Sequence, residues 1–207
     1  MIYEIRTYTL NVSAVPEVEK RFAEAYEHRK KYSELLGFFH TEIGELNQVI
    51  HIWPYESVEH RDQVRAEVAK NEPNWPPKIQ EFIVAATSEI LVPFPFVEPL
   101  KPGNYGPYYE LRYYNYRPGS LPALMESWSK ALPARLERSQ VALAGHVEFG
   151  EANRFIHIWP YKSLNERMDV RTQAAKDGIW PPPGGGHDRY FQQRNKIMLP
   201  SSFSPLQ

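Results

Sequence analysis

The chain has 207 residues, 42% of them hydrophobic and 14% aromatic, with 24 basic side chains against 25 acidic ones and no cysteine. A net charge of −1 gives no electrostatic reason to expect nucleic acid or an anionic membrane as partner, and the lack of cysteine excludes disulfides, thiolate nucleophiles and Cys-based metal sites. No apolar run approaches the roughly 20 residues of a membrane span, and strand-like sequence from Ile2 leaves no room for a leader, so the expectation is a cytoplasmic protein.

Residues 2–10, rich in aromatic and β-branched side chains, read as a strand. Ser13 and Pro16 mark a helix start, with Val15, Val18, Phe22, Ala25 and Tyr26 at helical spacing. The run Glu27 to Lys31 reads as the solvated face of that helix. Gly37 ends the helix, and two strands follow, Phe38 to Ile43 and Asn47 to Trp53, joined by a turn at Gly44-Glu45. Ser57 caps a second helix to about Lys70, with Arg61 and Arg65 one turn apart on what reads as its exposed face. A proline-broken loop around Trp75 leads to a fourth strand, Ser88 to Val92. The order is βαββαβ, a ferredoxin-like unit.

Residues 93–107, rich in proline, read as a semi-rigid spacer. The order then repeats. A strand from Tyr108 to Tyr116 leads to a helix from Ser120, which Pro133 should kink or end. Strands His146 to Phe149 and Asn153 to Trp159 follow, then a helix whose Ser163-Leu164-Asn165-Glu166 start is a capping box. The loop from Trp180 to His187 carries Gly184-Gly185-Gly186, which lacks the lysine and the context of a phosphate loop and reads as flexible. Asn195 to Pro200 is the last strand, and residues 201–207 read as a tail.

The repetition extends to individual residues. His51-Ile52-Trp53-Pro54-Tyr55 returns as His157-Ile158-Trp159-Pro160-Tyr161, a shift of 106 residues. The same shift carries Tyr3-Glu4 and Arg6 onto Tyr109-Glu110 and Arg112, His40 onto His146, and Arg61 and Arg65 onto Arg167 and Arg171. One frame across most of each half means an internal duplication. The expected organisation is a first module over residues 1–92, a linker over 93–107 and a second module over 108–207. The fold class is α+β.

Side chains alternate along strands, so parity sorts the two faces of each sheet. Ile50 and Ile52 share one face, as do Thr41 and Ile43 in the preceding strand. Glu4, Arg6, Tyr8, His40, Glu42, His51 and Trp53 crowd the other, matched by their counterparts in the second half. The apolar face is expected to cover the helices. The polar faces of the two sheets are then expected to meet around a polar-lined cavity.

The opening Tyr3-Glu4-Ile5-Arg6-Thr7-Tyr8 and the run from Thr41 to Trp53 resemble the NIPSNAP family. The second half keeps Tyr109-Glu110-Leu111-Arg112, Gly150-Glu151, Asn153 and the His157 to Tyr161 run, but has Val147 where the first has Thr41. The resemblance covers almost the whole chain. It implies ferredoxin-like modules of the dimeric α/β-barrel superfamily, whose two sheets close a barrel around a central pocket, here as a pseudo-dimer. That superfamily includes small monooxygenases, isomerases and haem-dependent enzymes, and the family itself has no settled chemistry.

Candidate site residues follow from the polar face. Arg6 and Arg112 offer planar guanidinium forks for a carboxylate or enolate, or else form a buried ion-pair network with Glu4, Glu42, Glu110 and Glu148 that only fixes how the sheets meet. His51 and His157 are the candidate acid/base residues, with pKa values expected near working pH. His40 and His146 are candidates on the neighbouring strand, with Glu42 and Glu148 beside them. Trp53, Trp159, Tyr8 and Tyr114 suit a flat or aromatic ligand, and the Trp75 and Trp180 loops could lid a barrel mouth. His40, His51 and Glu42 match no metal-ligand spacing, and neither a metal nor a cofactor is expected. The leading expectation is a small-molecule binding protein or cofactor-free enzyme, and the rival is a non-catalytic interaction module. Homodimerisation or a higher homo-oligomer remains open.

Overall fold

The computed structural model describes residues 1–183 and 187–207; the Gly184 to Gly186 stretch, read above as a flexible loop, lies outside the described residues. The first module runs β1 Ile2–Leu10, α1 Val15–Arg29, β2 Gly37–Ile43, β3 Gln48–Tyr55, α2 Val58–Asn71 and β4 Ile83–Pro93. The second runs β5 Tyr108–Tyr116, α3 Leu121–Leu136, β6 Leu143–Phe149, β7 Arg154–Tyr161, α4 Leu164–Lys176 and β8 Tyr190–Pro200. All eight strands close one antiparallel barrel in the order β1-β3-β2-β8-β5-β7-β6-β4, so the pseudo-dimer is completed within one chain. Among the described residues, no helix is long and apolar enough to cross a membrane.

The hairpin between β2 and β3 shows why the halves repeat Gly and Asn at fixed places. Gly44 and Gly150 adopt φ of 109° and 133°, and Asn47 and Asn153 both adopt 56°. This left-handed region favours glycine and tolerates asparagine. Helix starts differ from expectation: α1 begins after Ala14, with no side-chain cap, while Ser13 sits at φ 67° in the preceding turn. Ser57 and Ser163 do cap α2 and α4, accepting from the amides of His60 at 3.2 Å and Glu166 at 3.0 Å. The reciprocal arm reaches one residue further back than a standard box, from Glu166 to the amide of Lys162 at 2.5 Å. In the first module the His60 ring plays that part toward the amide of Glu56. Helix α3 continues through Pro133 to Leu136. The proline forfeits one intrahelical bond, and its neighbours Leu132 and Arg135 are buried.

Parity sorts the strand residues correctly, but the faces point opposite to expectation. The apolar face lines the barrel interior, where Tyr3, Ile5, Phe39, Ile52, Leu111, Ile158 and Met198 form one buried cluster. The face carrying Glu4, Arg6, His51 and Trp53 turns outward beneath the helices of its own module, against Phe22, Tyr26, Val64 and Val68. The reason is the core that each face can build. An aliphatic face from each sheet makes a dry barrel interior. The amphipathic α1, with α2 beside it, then covers the aromatic and ionic face.

The segments after β4 and β8 are structural rather than spacer and tail. Phe94 and Val97 insert into the helix layer of the second module, beside Leu124 and Trp128. Phe203 inserts into that of the first, 4.9 Å from the Phe38 ring, and Leu206 joins the barrel interior. Main-chain bonds fix both, from Phe94 to Ala144 at 3.0 Å and from Ser201 to Phe38 at 3.0 Å. Strands β4 and β8 also begin earlier than expected, at Ile83 and Tyr190, because they pair along most of β1 and β5.

Candidate functional site

Strand register brings the outward polar residues together. Arg6 lies opposite His51 on β3 and Ser88 on β4, and Glu4 lies opposite Trp53. The Glu4 carboxylate is the hub. Its Oε1 accepts from Arg6 Nη1 at 3.0 Å, Arg61 Nη2 at 2.7 Å and Ser88 Oγ at 2.8 Å, while Arg65 Nη1 stands 3.9 Å from Oε2. Burial works against ionisation of Glu4, but the bonds from Arg61 and Ser88 and the charge of Arg6 outweigh it and hold the pKa at about 2. Arg6 Nε donates to the Tyr8 hydroxyl at 3.0 Å.

His51 is buried. Its Nδ1 lies 2.7 Å from Trp53 Nε1, and an indole N–H can only donate, so Nδ1 accepts and Nε2 carries the proton. That Nε2 has no partner among the described residues. Burial, with the Arg6 charge adding to it, pushes the pKa of His51 down to about 3. The titration near working pH expected from sequence is therefore replaced by a neutral ring with a fixed donor. Arg29 is buried too, its guanidinium 4.6 Å from the Trp53 ring and 5.8 Å from the Trp75 ring, donating to the Tyr55 hydroxyl at 2.9 Å. No carboxylate comes within ion-pair distance of it among the described residues, and burial lowers its pKa.

Between these groups and the helices lies a cavity of about 330 Å³. Arg6, Arg29, Arg65, Glu4 and His51 form its polar side, and Phe22, Trp75, Pro77, Ile79 and Ile83 its apolar side. The loop carrying Trp75, with a cis bond to Pro76, closes one wall. The cavity is outside the barrel, under the helices of the first module. The second module repeats the polar set. Glu110 accepts from Arg112 at 2.6 Å and Arg167 at 2.5 Å, and Arg171 stands 3.9 Å away. Trp159 donates to His157 Nδ1 at 2.6 Å, and burial with the Arg112 charge puts the His157 pKa well below the usual imidazole value.

Of the residues expected from sequence, the structure gathers Arg6, Tyr8, His51 and Trp53 at this cavity. Their twins Arg112, Tyr114, His157 and Trp159 gather likewise in the second module. His40 and His146 lie elsewhere, His40 paired with Glu19 of α1 at 2.7 Å and His146 Nε2 3.6 Å from Glu148. Glu42 and Glu148 are exposed, because β2 and β6 pair with β3 and β7 only as far as His40 and His146. No three His, Asp or Glu side chains converge as a metal-ligand group among the described residues. Sequence reasoning placed Arg61 and Arg65 on an exposed face and Arg29 in a solvated run, yet all three arginines belong to the site. The signal was present for Arg29, since the 106-residue shift carries it onto Arg135, equally buried and 4.4 Å from the Trp159 ring.

The NIPSNAP family model matches residues 3–98 and again 109–205. NipSnap homolog 3A of Homo sapiens is 31% identical over 218 residues, covering 100% of this chain and 86% of that protein, and a NipSnap homolog of Dictyostelium discoideum is 30% identical, covering 86% of this chain and 78% of that protein. Among solved structures, a provisionally assigned monooxygenase from Fusobacterium nucleatum superposes with a TM-score of 0.73 at 12% identity, over 97% of this chain and 92% of that one. An anthrone oxidase-like protein superposes with a TM-score of 0.61 at 10% identity, over 96% and 90%. At such identities the structural likeness is one of fold.

Proposed function

The chain belongs to the NIPSNAP family, and from that premise we propose that its first module binds a small anionic molecule with an aromatic or apolar body. The observation that carries this reading is charge imbalance at a half-apolar cavity. Three guanidinium groups, Arg6, Arg29 and Arg65, line the cavity with the single carboxylate of Glu4, which also holds Arg61, itself paired with Asp62. Buried cations without counter-charge are costly, and a ligand carboxylate or enolate reaching Arg65 and Arg6 offsets that cost. The Nε2–H of His51 supplies a further donor, and Phe22, Trp75 and Ile83 receive the ligand body. The titratable groups at the polar side, Glu4 held at about 2 and His51 at about 3, support binding and charge stabilisation over proton shuttling. Chemistry on the bound molecule, of the cofactor-free monooxygenase or isomerase kind, then depends on stabilising a developing enolate with these same donors.

A second reading, in which the polar set serves only assembly, is favoured by one observation: Glu4 and Glu110 are closed onto arginines in both modules. Native mass spectrometry of freshly purified protein, followed by calorimetric titration with 2-naphthoate, separates the two. The binding reading expects saturable uptake that Arg65→Ala weakens at least about tenfold with the melting temperature nearly unchanged, since Arg65 is half-exposed. Absence of uptake, or uptake indifferent to Arg65→Ala, sinks it.

A further inference from the structure

The two modules share their polar groups but not the apolar side chains around them. Glu110, Arg112, Arg135, His157, Arg167 and Arg171 repeat the geometry of the first site. The buried Nε2 of His157 and Oε2 of Glu110 again have no partner among the described residues. Among the described residues the apolar side differs at two places. Tyr190 occupies the register of Ile83: Ile83 pairs with Leu10 on β1, and Tyr190 pairs with Tyr116 on β5. Trp128 stands at the position of Phe22, and its ring lies 4.6 Å from Trp180, where the Phe22 ring lies 5.4 Å from Trp75.

The Tyr190 ring meets that of Tyr114 edge-on at 5.3 Å. The Tyr114 hydroxyl accepts from Arg112 Nε at 2.7 Å, so Tyr190 packs against the ring that holds the guanidinium in place. Burial raises the Tyr190 pKa, with the neighbouring Tyr114 adding to it, as expected for a hydroxyl turned inward. The arginines are correspondingly less open, Arg112 at 13% exposure against 22% for Arg6, and Arg171 at 34% against 47% for Arg65.

We propose that the second module carries a second site for the same anionic head group, restricted by Tyr190 and Trp128 to ligands with a smaller apolar body. The proposal rests on the anion-binding reading of the first module. An aromatic ring that fits against Ile83 would have to displace the Tyr190 phenol, and forcing extra bulk into a packed site is unfavourable. A single-ring carboxylate asks for less room and finds the same guanidinium donors.

Calorimetric titration of the full chain with benzoate and with 2-naphthoate tests this. The expected stoichiometry is two for benzoate and one for 2-naphthoate. Arg171→Ala should remove one benzoate equivalent and leave 2-naphthoate binding unchanged, whereas Arg65→Ala should remove the 2-naphthoate equivalent. Tyr190→Ile, alone or with Trp128→Phe, should admit a second 2-naphthoate. Two equivalents of 2-naphthoate on the unaltered chain overturn the proposal. So does a single benzoate equivalent insensitive to Arg171→Ala, or the failure of both Tyr190 variants to admit a second 2-naphthoate. In each of these cases the first-module reading stands as long as Arg65→Ala still abolishes a 2-naphthoate equivalent. Binding of neither probe to any form overturns both.

Discussion

Arg29 is a buried cation held between two indole rings and a phenol, with no acid beside it. Cation–π contacts and hydrogen bonds to the Tyr55 hydroxyl and the Ser33 carbonyl stabilise it by about 1–3 kcal/mol but supply no counter-charge. Replacing it by Met keeps most of the side-chain volume and removes the charge. Arg29→Met is therefore expected to hold or raise the melting temperature, as buried-charge replacements often do, while weakening 2-naphthoate binding at least about tenfold. Loss of stability without loss of binding would show that the charge serves the fold.

The buried histidines make a second residue-level prediction. His51 and His157 have folded pKa values below the unfolded 6.5, so the unfolded chain binds more protons as pH falls. Their stabilising contribution is complete above pH 6.5 and is lost as pH falls below it, for His51 down to about 3. Each contributes a slope of up to about 1.4 kcal/mol per pH unit. Among groups facing the site, Glu4 acts in the same direction below its unfolded value of 4.5, down to about 2. His40, raised by Glu19, acts oppositely and loses its contribution as pH rises through its folded value. Below pH 6.5 the His40 contribution is already present, so the two buried histidines predict a net fall in unfolding free energy from pH 6.5 to 4.5, read by urea titration at several pH values. A flat profile over that range contradicts the neutral, buried assignment.

At the scale of elements, each module is finished by the other. The chain leaving β4 places Phe94 beside α3, and the chain leaving β8 places Phe203 beneath α1, next to Phe22 and Tyr26. Phe203 is partly buried, so Phe203→Ala should cost about 2 kcal/mol, below the ~3–5 of a fully buried phenylalanine. Because Phe22 borders the cavity, the same variant should loosen ligand binding, measurable by denaturant melts beside calorimetry. A variant with unaltered stability would mean that the terminal segment does not support α1. This exchange was not legible in the sequence, where prolines at 93, 95, 99, 102 and 107 resemble a spacer and local pattern says nothing of distant contacts. The duplication and the βαββαβ order were legible, because both rest on repeated residues and periodicity. The alternation that grouped Arg6 with His51 was legible too. Which face looked inward was not, since parity sorts residues into two sets without saying which set the other sheet will meet. The same gap hid Arg61 and Arg65. They look like a solvated helical pair until Glu4 is known to lie beneath α2.

At the scale of the molecule, the barrel has two seams between modules, and they are not alike. At one, β4 meets β6, and Glu89 pairs with Arg154 at 2.8 Å, with Arg154 also stacked on Tyr113. At the other, β2 meets β8, and Lys196 bonds Gln48 and pairs with Glu45. Glu89 and Lys196 stand at corresponding places, opposite Ile5 and Leu111, so the charge is reversed between seams. A barrel made from two identical modules could not carry this difference. Glu89→Lys sets a second cation against Arg154 and should cost about 3 kcal/mol, the scale for breaking a well-buried pair. Glu89→Gln should cost less, and equal effects of the two in thermal melts would show that the charge at this seam is immaterial.

The proposed ligand site lies outside the barrel, under the helices of the first module, while the interior between the sheets is packed. A crystal structure of the protein soaked with 2-naphthoate distinguishes the two locations. The carboxylate is expected between Arg65 and Arg6, within hydrogen-bond reach of His51 Nε2, and the rings against Trp75 and Ile83. Naphthoate lodged among Tyr3, Ile52, Leu111 and Ile158 inside the barrel, or a first-module cavity unchanged and empty at saturating ligand, would contradict it.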